Sequence, residues 1–365
     1  MMIRASGLTY EAKPLNPAGG CSLQYTHSCL IDHLCVQSPN FNGRKHEYNE
    51  KTTLERYGGV YVRVRAAPAP SHIPVLFSRL TFFQWGQSMR LKDLIEPGDP
   101  ELIASGFEFT EGPLWIPEGA LIFSDIPANR IYRWTSDDGV AVWREPSGHA
   151  NGLTLDTQNR LIICEHGNRR VSRIETDGSV STLADRYDGK RLNSPNDVVV
   201  KSDGTIYFTD PPYGIKPEEQ EQSHNGLYRI LLDDSVELLS DDFIRPNGLA
   251  FSSDESILYV DDSRRRHVRT FDVIPDGGLS NSRVLADMDH PQPGSPDGMK
   301  IDVEGHIYVA GATGIWIFEP DGTFLGVIVT PERPSNCAWG DEDKKSLFIT
   351  ARTSIYRIRV KIRGV

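Results

Sequence analysis

Short apolar segments and polar turns alternate along the second part of the chain in a pattern that occurs six times. Each copy begins with an acidic or amide residue, continues as an alternating apolar segment, turns, and ends in a second apolar segment with polar residues after it. Alternation of this period predicts β-strands. The copies begin at Glu111, Asn151, Asn196, Asn247, Asp297 and Asn336, and these starts are 40, 45, 51, 50 and 39 residues apart.

Two further strand-like segments follow each copy, so that each unit predicts four strands. After the first copy, for example, come RIYRWT and VAVWRE. A four-stranded unit that repeats at this interval is typical of a β-propeller blade, whose innermost strand lines a central channel. We therefore predict an all-β fold, a six-bladed β-propeller with four-stranded blades.

The sixth copy lacks an outermost strand, because the chain ends five residues after SIYRIRV. The segment ELIASGF, residues 101–107, stands before the first copy as an outer strand stands before each of the others. Pairing of this segment with the last blade would close the ring and remove free sheet edges. We expect the propeller to occupy residues 91–365, with its last blade closed by this N-terminal strand.

Residues 1–90 form the other part of the chain and carry no blade pattern, although they contain three of the five cysteines. Two interpretations remain open. The segment is a disordered extension, or the start is mis-assigned and translation begins at Met89. Neither interpretation gives it a catalytic role.

The charge of the chain restricts the partners. The net charge is −11, and residues 1–88 carry 9 basic and 5 acidic side chains, so the remainder is near −15. Such a surface repels nucleic acid and anionic membranes and tolerates cations. We expect a small-molecule ligand, no nucleic-acid or membrane partner, and a monomer or dimer.

Cysteine usage and hydropathy indicate the compartment. The five cysteines have no metal-ligand spacing, and their odd number argues against a complete disulfide framework. No secretory signal is recognisable, and the most apolar segment, residues 74–85, is interrupted by Arg79 and too short to cross a bilayer. We expect a cytoplasmic protein.

The six residues that begin the copies should form a ring at one end of the channel. Two carboxylates and four amides then offer only hard oxygen donors, which suit Ca²⁺, Mg²⁺ or Mn²⁺ better than a thiolate-type zinc site. For each amide alone, turn formation is an equally good explanation. The sequence has no phosphate-binding Gly-rich loop, HExxH motif or Gly-x-Ser-x-Gly elbow that would compete with this ring.

The turns that follow the second strand of each blade should lie on the same face. His149 and His166 fall near this face as candidates for substrate contact, with a structural role as the alternative. Residues 264–267 form a basic cluster in the fourth blade. The turn of the third blade, residues 210–226, is long enough to form a lid over the channel or, equally, a surface loop.

Residues from about 100 to the C-terminus resemble the gluconolactonase, regucalcin and senescence-marker family of six-bladed propellers. The resemblance rests on FTEGPLW, LNSPNDV, TDPPYG, RPNGLAFS and SPDGMKID, in this order. In that family the Glu of EGP, the Asn of PNG and the Asp of PDG hold one divalent ion. The resemblance thus implies metal ligation by Glu111, Asn247 and Asp297.

The Asn of the ND motif lies close to metal and substrate in the family, and it matches Asn196, which we therefore expect at the metal site as well as among the substrate contacts. Two residues earlier the animal lactonases have an Arg, whereas this chain has Ser194, as the bacterial and fungal gluconolactonases do. Substrate recognition by that Arg is therefore not carried over. The expected substrate contacts are Asn196, Asn151, His149, His166 and Tyr213.

The resemblance implies an enzyme, a metal-dependent hydrolase of carboxylic esters that acts on a sugar lactone. One divalent cation, Ca²⁺ first and Zn²⁺, Mg²⁺ or Mn²⁺ as alternatives, would polarise the lactone carbonyl, while Asp297 acts as general base. Hydrolysis of an aryl ester or organophosphate at the same site is one alternative. A non-catalytic calcium-binding propeller is the other.

Overall fold

The computed structural model describes residues 90–365 in full and, before them, the backbone of seven short strands. The chain divides into two compact units, residues 1–84 and 85–365. The strands of the first unit are β1 Met2–Ala5, β2 Leu8–Glu11, β3 Lys13–Leu15, β4 Gly20–Ser22, β5 Cys35–Gln37, β6 Leu54–Tyr57 and β7 Val60–Arg63. They form a two-stranded sheet, β1-β2, and a five-stranded sheet in the order β3-β4-β5-β7-β6. The two interpretations of residues 1–90 mostly concern positions outside the described residues and stay predictions.

The second unit contains six four-stranded antiparallel sheets, which are the blades of a propeller. The strands of blade 1, from the channel outwards, are β9 Thr110–Ile116, β10 Ala120–Asp125, β11 Arg130–Thr135 and β12 Gly139–Arg144. Those of blade 2 are β13 Ala150–Leu155, β14 Leu161–Glu165, β15 Arg170–Ile174 and β16 Val180–Ala184. A two-stranded hairpin, β17 Arg186–Tyr187 and β18 Lys190–Arg191, leads into blade 3. Blades 3 and 4 are β19 Val198–Val200, β20 Ile206–Asp210, β21 Gly226–Ile230, β22 Val236–Ser240; β23 Pro246–Phe251, β24 Ile257–Asp262, β25 His267–Val273, β26 Leu279–Asp287.

Blades 5 and 6 complete the ring. Their strands are β27 Met299–Ile301, β28 Ile307–Gly311, β29 Gly314–Phe318, β30 Phe324–Val329; β31 Asn336–Gly340, β32 Ser346–Ala351, β33 Ser354–Arg359 and β8 Glu101–Ser105. The innermost strand of every blade contacts the innermost strands of both neighbours, and β31 contacts β9. The predicted all-β, six-bladed propeller with four-stranded blades is confirmed.

The last blade is closed by a strand from the other end of the unit, as the sequence predicts. Strand β8 pairs antiparallel with β33, with Ser105 opposite Ser354 and Leu102 opposite Tyr356. A short helix before it, α1 Leu91–Leu94, adds a second attachment that the sequence did not predict. Leu94 is fully buried in the core of blades 5 and 6, and its carbonyl accepts a hydrogen bond from the Lys361 backbone N–H at 2.8 Å.

The hydrophobic core lies between neighbouring blades, because each sheet packs both of its faces against other sheets. Between blades 2 and 3, for example, Ile162 and Cys164 pack in one buried cluster with Phe208 and Tyr228. Burial on both faces explains why the second strands are continuously apolar rather than alternating. None of the helices in residues 90–365 is long and apolar enough to cross a membrane.

Candidate active site

Four of the six ring residues are followed by glycine, and the structure supplies the reason. A Cβ at Gly248 would lie 2.3 Å from the backbone oxygen of Asp297, and one at Gly298 would lie 1.9 Å from Cγ of Asn336. Both separations are shorter than any real contact, so only glycine lets neighbouring innermost strands approach this closely. The ring residues of adjacent blades consequently lie side by side.

A cavity of about 480 Å³ opens at this end of the channel. Five of the six ring residues line it, and the sixth, Asn336, donates from Nδ2 to Oε2 of Glu111 at 3.1 Å. The volume is within the range of about 300–1,000 Å³ that is usual for small-molecule sites. The ring residues that line the cavity are Glu111, Asn151, Asn196, Asn247 and Asp297.

Three buried amides of the ring form a directed chain of hydrogen bonds. Nδ2 of Asn151 donates to Oδ1 of Asn196 at 2.5 Å, and Nδ2 of Asn196 donates to Oδ1 of Asn247 at 2.5 Å. Nδ2 of Asn247 donates to Oγ of Ser263 at 3.0 Å, and this hydroxyl donates to the carbonyl of Pro296 at 2.9 Å. The chain thus runs from blade 2 to the residue that precedes Asp297.

The two carboxyl groups of the ring hold protons unusually strongly. Burial raises the pKa of Glu111 to about 7, although its hydrogen bond from the Gly112 backbone N–H, at 2.8 Å, opposes the shift. Loss of solvation and the charge of Glu111 raise the pKa of Asp297 well above its ordinary value. Two acids that share one cavity away from bulk water repel each other when both are ionised. A positive charge between them would relieve that repulsion.

Two further buried acids, which were not among the residues expected from the sequence, lie near the ring. Both carboxylate oxygens of Asp261 and one of Asp197 have no hydrogen-bond partner among residues 90–365. Burial raises the pKa of both, and the charge of Asp297 adds to the shift of Asp261. Asp261 was hidden because it ends the apolar segment ILYVD, where it resembles the polar end of any strand.

The two candidate histidines lie in different environments. His166 is buried in the cavity wall, and burial lowers its pKa to about 4, so its imidazole is neutral at physiological pH. Its Nε2 lies 3.1 Å from Nδ2 of Asn151, from which a neutral imidazole accepts a hydrogen bond. His149 is exposed and outside the cavity lining, and its Nδ1 lies 2.8 Å from the carbonyl oxygen of Ile126. The structure therefore brings His166, and not His149, to the ring.

The long turn of blade 3 reaches the cavity through Tyr213. Loss of solvation, with the nearby Asp297, raises the pKa of the Tyr213 phenol to about 12, so it keeps its proton. Further along, the turn contains a 3₁₀ helix, Pro217–Glu219, and is tied to other loops: Arg169 Nη1 donates to the Glu219 carbonyl at 2.9 Å. Gln222 Nε2 donates to the carbonyl of Lys190 at 3.1 Å. These hydrogen bonds anchor the loop to its neighbours, and Tyr213 is the side chain that the loop contributes to the cavity.

Four arginines line the outer part of the cavity: Arg245, Arg264, Arg266 and Arg333. The cluster at residues 264–267 was recognisable in the sequence, without a function, whereas Arg245 and Arg333 were not among the expected site residues. A local signal existed, because Arg245 and Arg333 stand two and three residues before ring residues, in RPN and RPSN. The guanidinium of Arg245 lies over the ring of Tyr213, 5.3 Å from its centroid.

Comparison with known proteins identifies the family. The family described as SMP-30/Gluconolactonase/LRE-like region matches residues 109–353. The gluconolactonase of Zymomonas mobilis subsp. mobilis is 37% identical over 306 residues, which cover 76% of this chain and 86% of that protein. The pentonolactonase XacC of Haloferax volcanii is 28% identical over 249 residues, 66% of this chain and 80% of that protein.

A solved structure gives the same result. A gluconolactonase from Xanthomonas campestris superimposes with a TM-score of 0.66 and 34% identity, covering 73% of this chain and 96% of that chain. All three named proteins are lactonases, which agrees with the enzyme class expected from the sequence, a hydrolase of carboxylic esters. The chain belongs to the SMP-30/gluconolactonase/LRE-like family.

Proposed function

We propose that this protein hydrolyses the ester bond of a sugar lactone in the cavity at the end of the propeller channel. The observation that carries the proposal is the position of Glu111 and Asp297 in one cavity, beside a chain of buried amides. Such an arrangement offers a cation-binding group and a base within one small-molecule site. The named relatives act on lactones, which supports the same substrate class for this chain.

The donor set of the cavity fits a divalent cation. Glu111 and Asp297 offer carboxylate oxygens, and Asn247 offers an amide oxygen, which are the ligands that hard cations prefer. Loss of solvation raises the pKa of both acids, and a positive charge between them would stabilise their ionised forms. Residues 90–365 contain no group of three or more His, Cys, Asp or Glu side chains placed to bind a metal, so the proposed set combines carboxylates with amides.

We assign Glu111, Asn247 and Asp297 as the ligands, with Asn196 next to them. Ca²⁺ is the proposed ion, and Zn²⁺, Mg²⁺ and Mn²⁺ are alternatives for the same oxygens. When bound, the ion polarises the lactone carbonyl and stabilises the negative charge that develops on its oxygen.

The side chains of the protein carry the proton transfers. Asp297 accepts a proton from the attacking water as the water oxygen forms a bond to the ring carbonyl carbon. The bond between this carbon and the ring oxygen then breaks, and the departing alkoxide takes the proton from Asp297. One water is consumed, the product is an open-chain hydroxy acid, and Asp297 is again a carboxylate.

The remaining polar groups of the cavity orient the substrate. The hydrogen bonds between the ring amides hold the side chains of Asn151 and Asn196 in one orientation. Their remaining donors and acceptors are therefore presented to a substrate in a fixed direction. His166 is neutral and Tyr213 keeps its proton, so they offer hydrogen bonds without adding charge. We propose these four residues as contacts for the sugar hydroxyls. His149, outside the cavity lining, is not part of this proposal.

A substrate panel tests the proposal. Proton release above the spontaneous rate is measured with D-glucono-1,5-lactone, an aryl ester and an organophosphate, before and after chelation and with each divalent cation restored. We expect lactone turnover that is lost on chelation and regained with Ca²⁺. Turnover of the aryl ester or organophosphate alone would contradict the substrate class. Cation binding without any turnover would indicate a non-catalytic propeller.

A further inference from the structure

We infer that the substrate lactone carries a negatively charged substituent, a phosphate monoester or a carboxylate, and that arginines at the cavity mouth bind it. The inference rests on the proposed function and extends the same cavity from the reacting ring to the rest of the substrate. It concerns Arg245, Arg264, Arg266 and Arg333, which we call the arginine rim.

The arginine rim is assembled from three separate parts of the chain. Arg245 precedes β23, Arg264 and Arg266 lie between β24 and β25, and Arg333 precedes β31. The remainder of the chain after residue 88 is acidic, near −15. Four positive side chains around one opening therefore oppose the charge of the surrounding surface. A concave opening of one charge concentrates ligands of the opposite charge and raises their rate of association.

Several rim charges are free to bind a ligand. Among residues 90–365, the guanidinium groups of Arg245, Arg264 and Arg333 have no hydrogen-bonded or ion-paired carboxylate. Arg265, on the same loop and outside the cavity lining, is paired with Asp242 at 2.8 Å. The protein thus neutralises the outward-facing arginine of this loop and leaves its neighbour Arg264 available.

The fourth rim residue, Arg266, pairs through Nη1 with the exposed Asp289 at 2.6 Å and keeps further donors. A guanidinium has five N–H donors in a planar fork that matches a carboxylate or a phosphate. Exposed ion pairs of this kind contribute little stability, so exchange for a ligand anion costs little.

The distribution of charge also fixes the orientation of the substrate. The part of the cavity wall that comes from blade 1 is formed by Phe109, Ile126 and Pro127 and carries no charge. The inner end holds Glu111 and Asp297, whose charges balance that of the proposed divalent cation, so this end offers an anion no net positive charge. A charged substituent is therefore favoured only at the arginine rim, which directs the uncharged lactone ring towards the two carboxylates. A neutral sugar would leave the guanidinium groups of Arg245, Arg264 and Arg333 without a bound anion.

Three lactones of the same hexose test this inference. They are D-glucono-1,5-lactone, its 6-phosphate ester, and the monolactone of D-glucaric acid, which carries a carboxylate at C6. We expect one of the two anionic lactones to exceed the neutral one in kcat/KM by at least about tenfold, as charge-assisted hydrogen bonds are stronger than neutral ones. High ionic strength should reduce this preference, because it screens exposed charges. The better anionic substrate distinguishes phosphate from carboxylate.

Matched variants assign the effect to the rim. Arg264→Gln and Arg333→Gln should lower the ratio of kcat/KM for the anionic lactone to that for the neutral lactone. Arg265→Gln removes the same charge from the same loop but outside the cavity, and should keep the wild-type ratio. Calorimetric titration with D-gluconate 6-phosphate gives a readout independent of turnover, and its affinity should fall in the first two variants only.

The outcomes separate this inference from the proposed function. If the neutral lactone is hydrolysed as efficiently as both anionic lactones, the inference is overturned and the proposed function stands. Equal ratios in the wild type, Arg264→Gln and Arg333→Gln would also overturn it. If none of the three lactones is hydrolysed, the proposed function fails, and the inference with it.

Discussion

The side-chain amide of Asn196 donates a hydrogen bond to Oδ1 of Asn247 at 2.5 Å, although the two residues are 51 positions apart and belong to different blades. Asn196 also accepts a hydrogen bond from Asn151 at 2.5 Å. Three blades are therefore linked through side chains at the opening of the channel. The orientation of the proposed amide ligand, Asn247, depends on this neighbour.

Replacement of Asn196 by Ala should disturb the site more than its own contacts suggest. It leaves one N–H of Asn151, whose Nδ2 keeps only its contact with His166, and Oδ1 of Asn247 without their partner in the amide chain. Each buried polar group left unpaired costs about 1–3 kcal/mol. We expect weaker cation binding and a kcat/KM roughly 10–100-fold lower, since about 1.4 kcal/mol corresponds to tenfold. Steady-state kinetics and calorimetric cation titration measure the two effects.

Asn151→Ala is the matched comparison, because it removes the first link of the chain and the hydrogen bond to His166 but keeps the bond from Asn196 to the proposed ligand Asn247. Its loss of kcat/KM should be clearly smaller than that of Asn196→Ala. An Asn196→Ala variant with wild-type kinetics would mean that the amide chain has no part in positioning the site.

The stability of the cation-free protein should fall as pH rises. Burial raises the pKa of Glu111 from 4.5 to about 7. A group whose pKa is higher in the folded state contributes stability below the unfolded pKa and loses it as pH rises through the folded pKa. The Tm of the chelated protein should therefore be lower at pH 8 than at pH 5, by about 2–4 °C for each kcal/mol lost.

Added cation should restore most of this loss at pH 8 and little of it at pH 5, where Glu111 is protonated. The variant Glu111→Gln removes the titrating group, so its Tm without cation should depend less on pH. Differential scanning calorimetry with and without chelator measures both. If the chelated wild type is equally stable at the two pH values, Glu111 and Asp297 are not a pair of acids that destabilises the fold when ionised.

Closure of the propeller by β8 predicts two different effects of truncation. A chain that begins at Met89 keeps α1, with the buried Leu94, and the complete last blade, so its folding and activity should be unchanged. Deletion through Gly106 removes both and exposes the edge of β33, which favours aggregation through strand pairing. Light scattering and thermal unfolding measure the outcome. A monomeric longer deletion with the Tm of the full chain would show that this strand is dispensable.

The sequence predicted the ring because a repeat places equivalent residues at equivalent positions. Once the blades were aligned, Glu111 and Asp297 could be assigned to one end of the channel without any knowledge of contacts. The same logic predicted β8, since a ring of six blades leaves one place for the missing strand. The same alignment predicted that Asn196 and Asn247 are neighbours in the ring, but it did not predict the hydrogen bond between their side chains.

The features that were missed come from segments that differ between blades. Arg245 and Arg333 precede innermost strands at positions where other blades have uncharged residues such as Ser194 and Ser295, so alignment of the repeats did not single them out. His149 has a left-handed backbone with φ of 53°, and this local turn directs its ring to the Ile126 carbonyl rather than to the cavity. Leu94 belongs to α1, a helix of four residues that is too short to give a periodic pattern.

The central claim is that Asp297 performs the proton transfer of lactone hydrolysis, and the direct test is kcat of Asp297→Asn at saturating cation, with cation occupancy measured in parallel. The amide keeps the shape and one oxygen donor, so the cation should still bind, although more weakly because one carboxylate is lost. An amide accepts no proton at neutral pH, so kcat should fall by about 10²–10⁴-fold, the usual contribution of a general base. Asp297→Ala should lose the cation as well. An Asp297→Asn variant that binds cation and turns over at the wild-type rate would contradict the account, and would leave Asp297 as a ligand only.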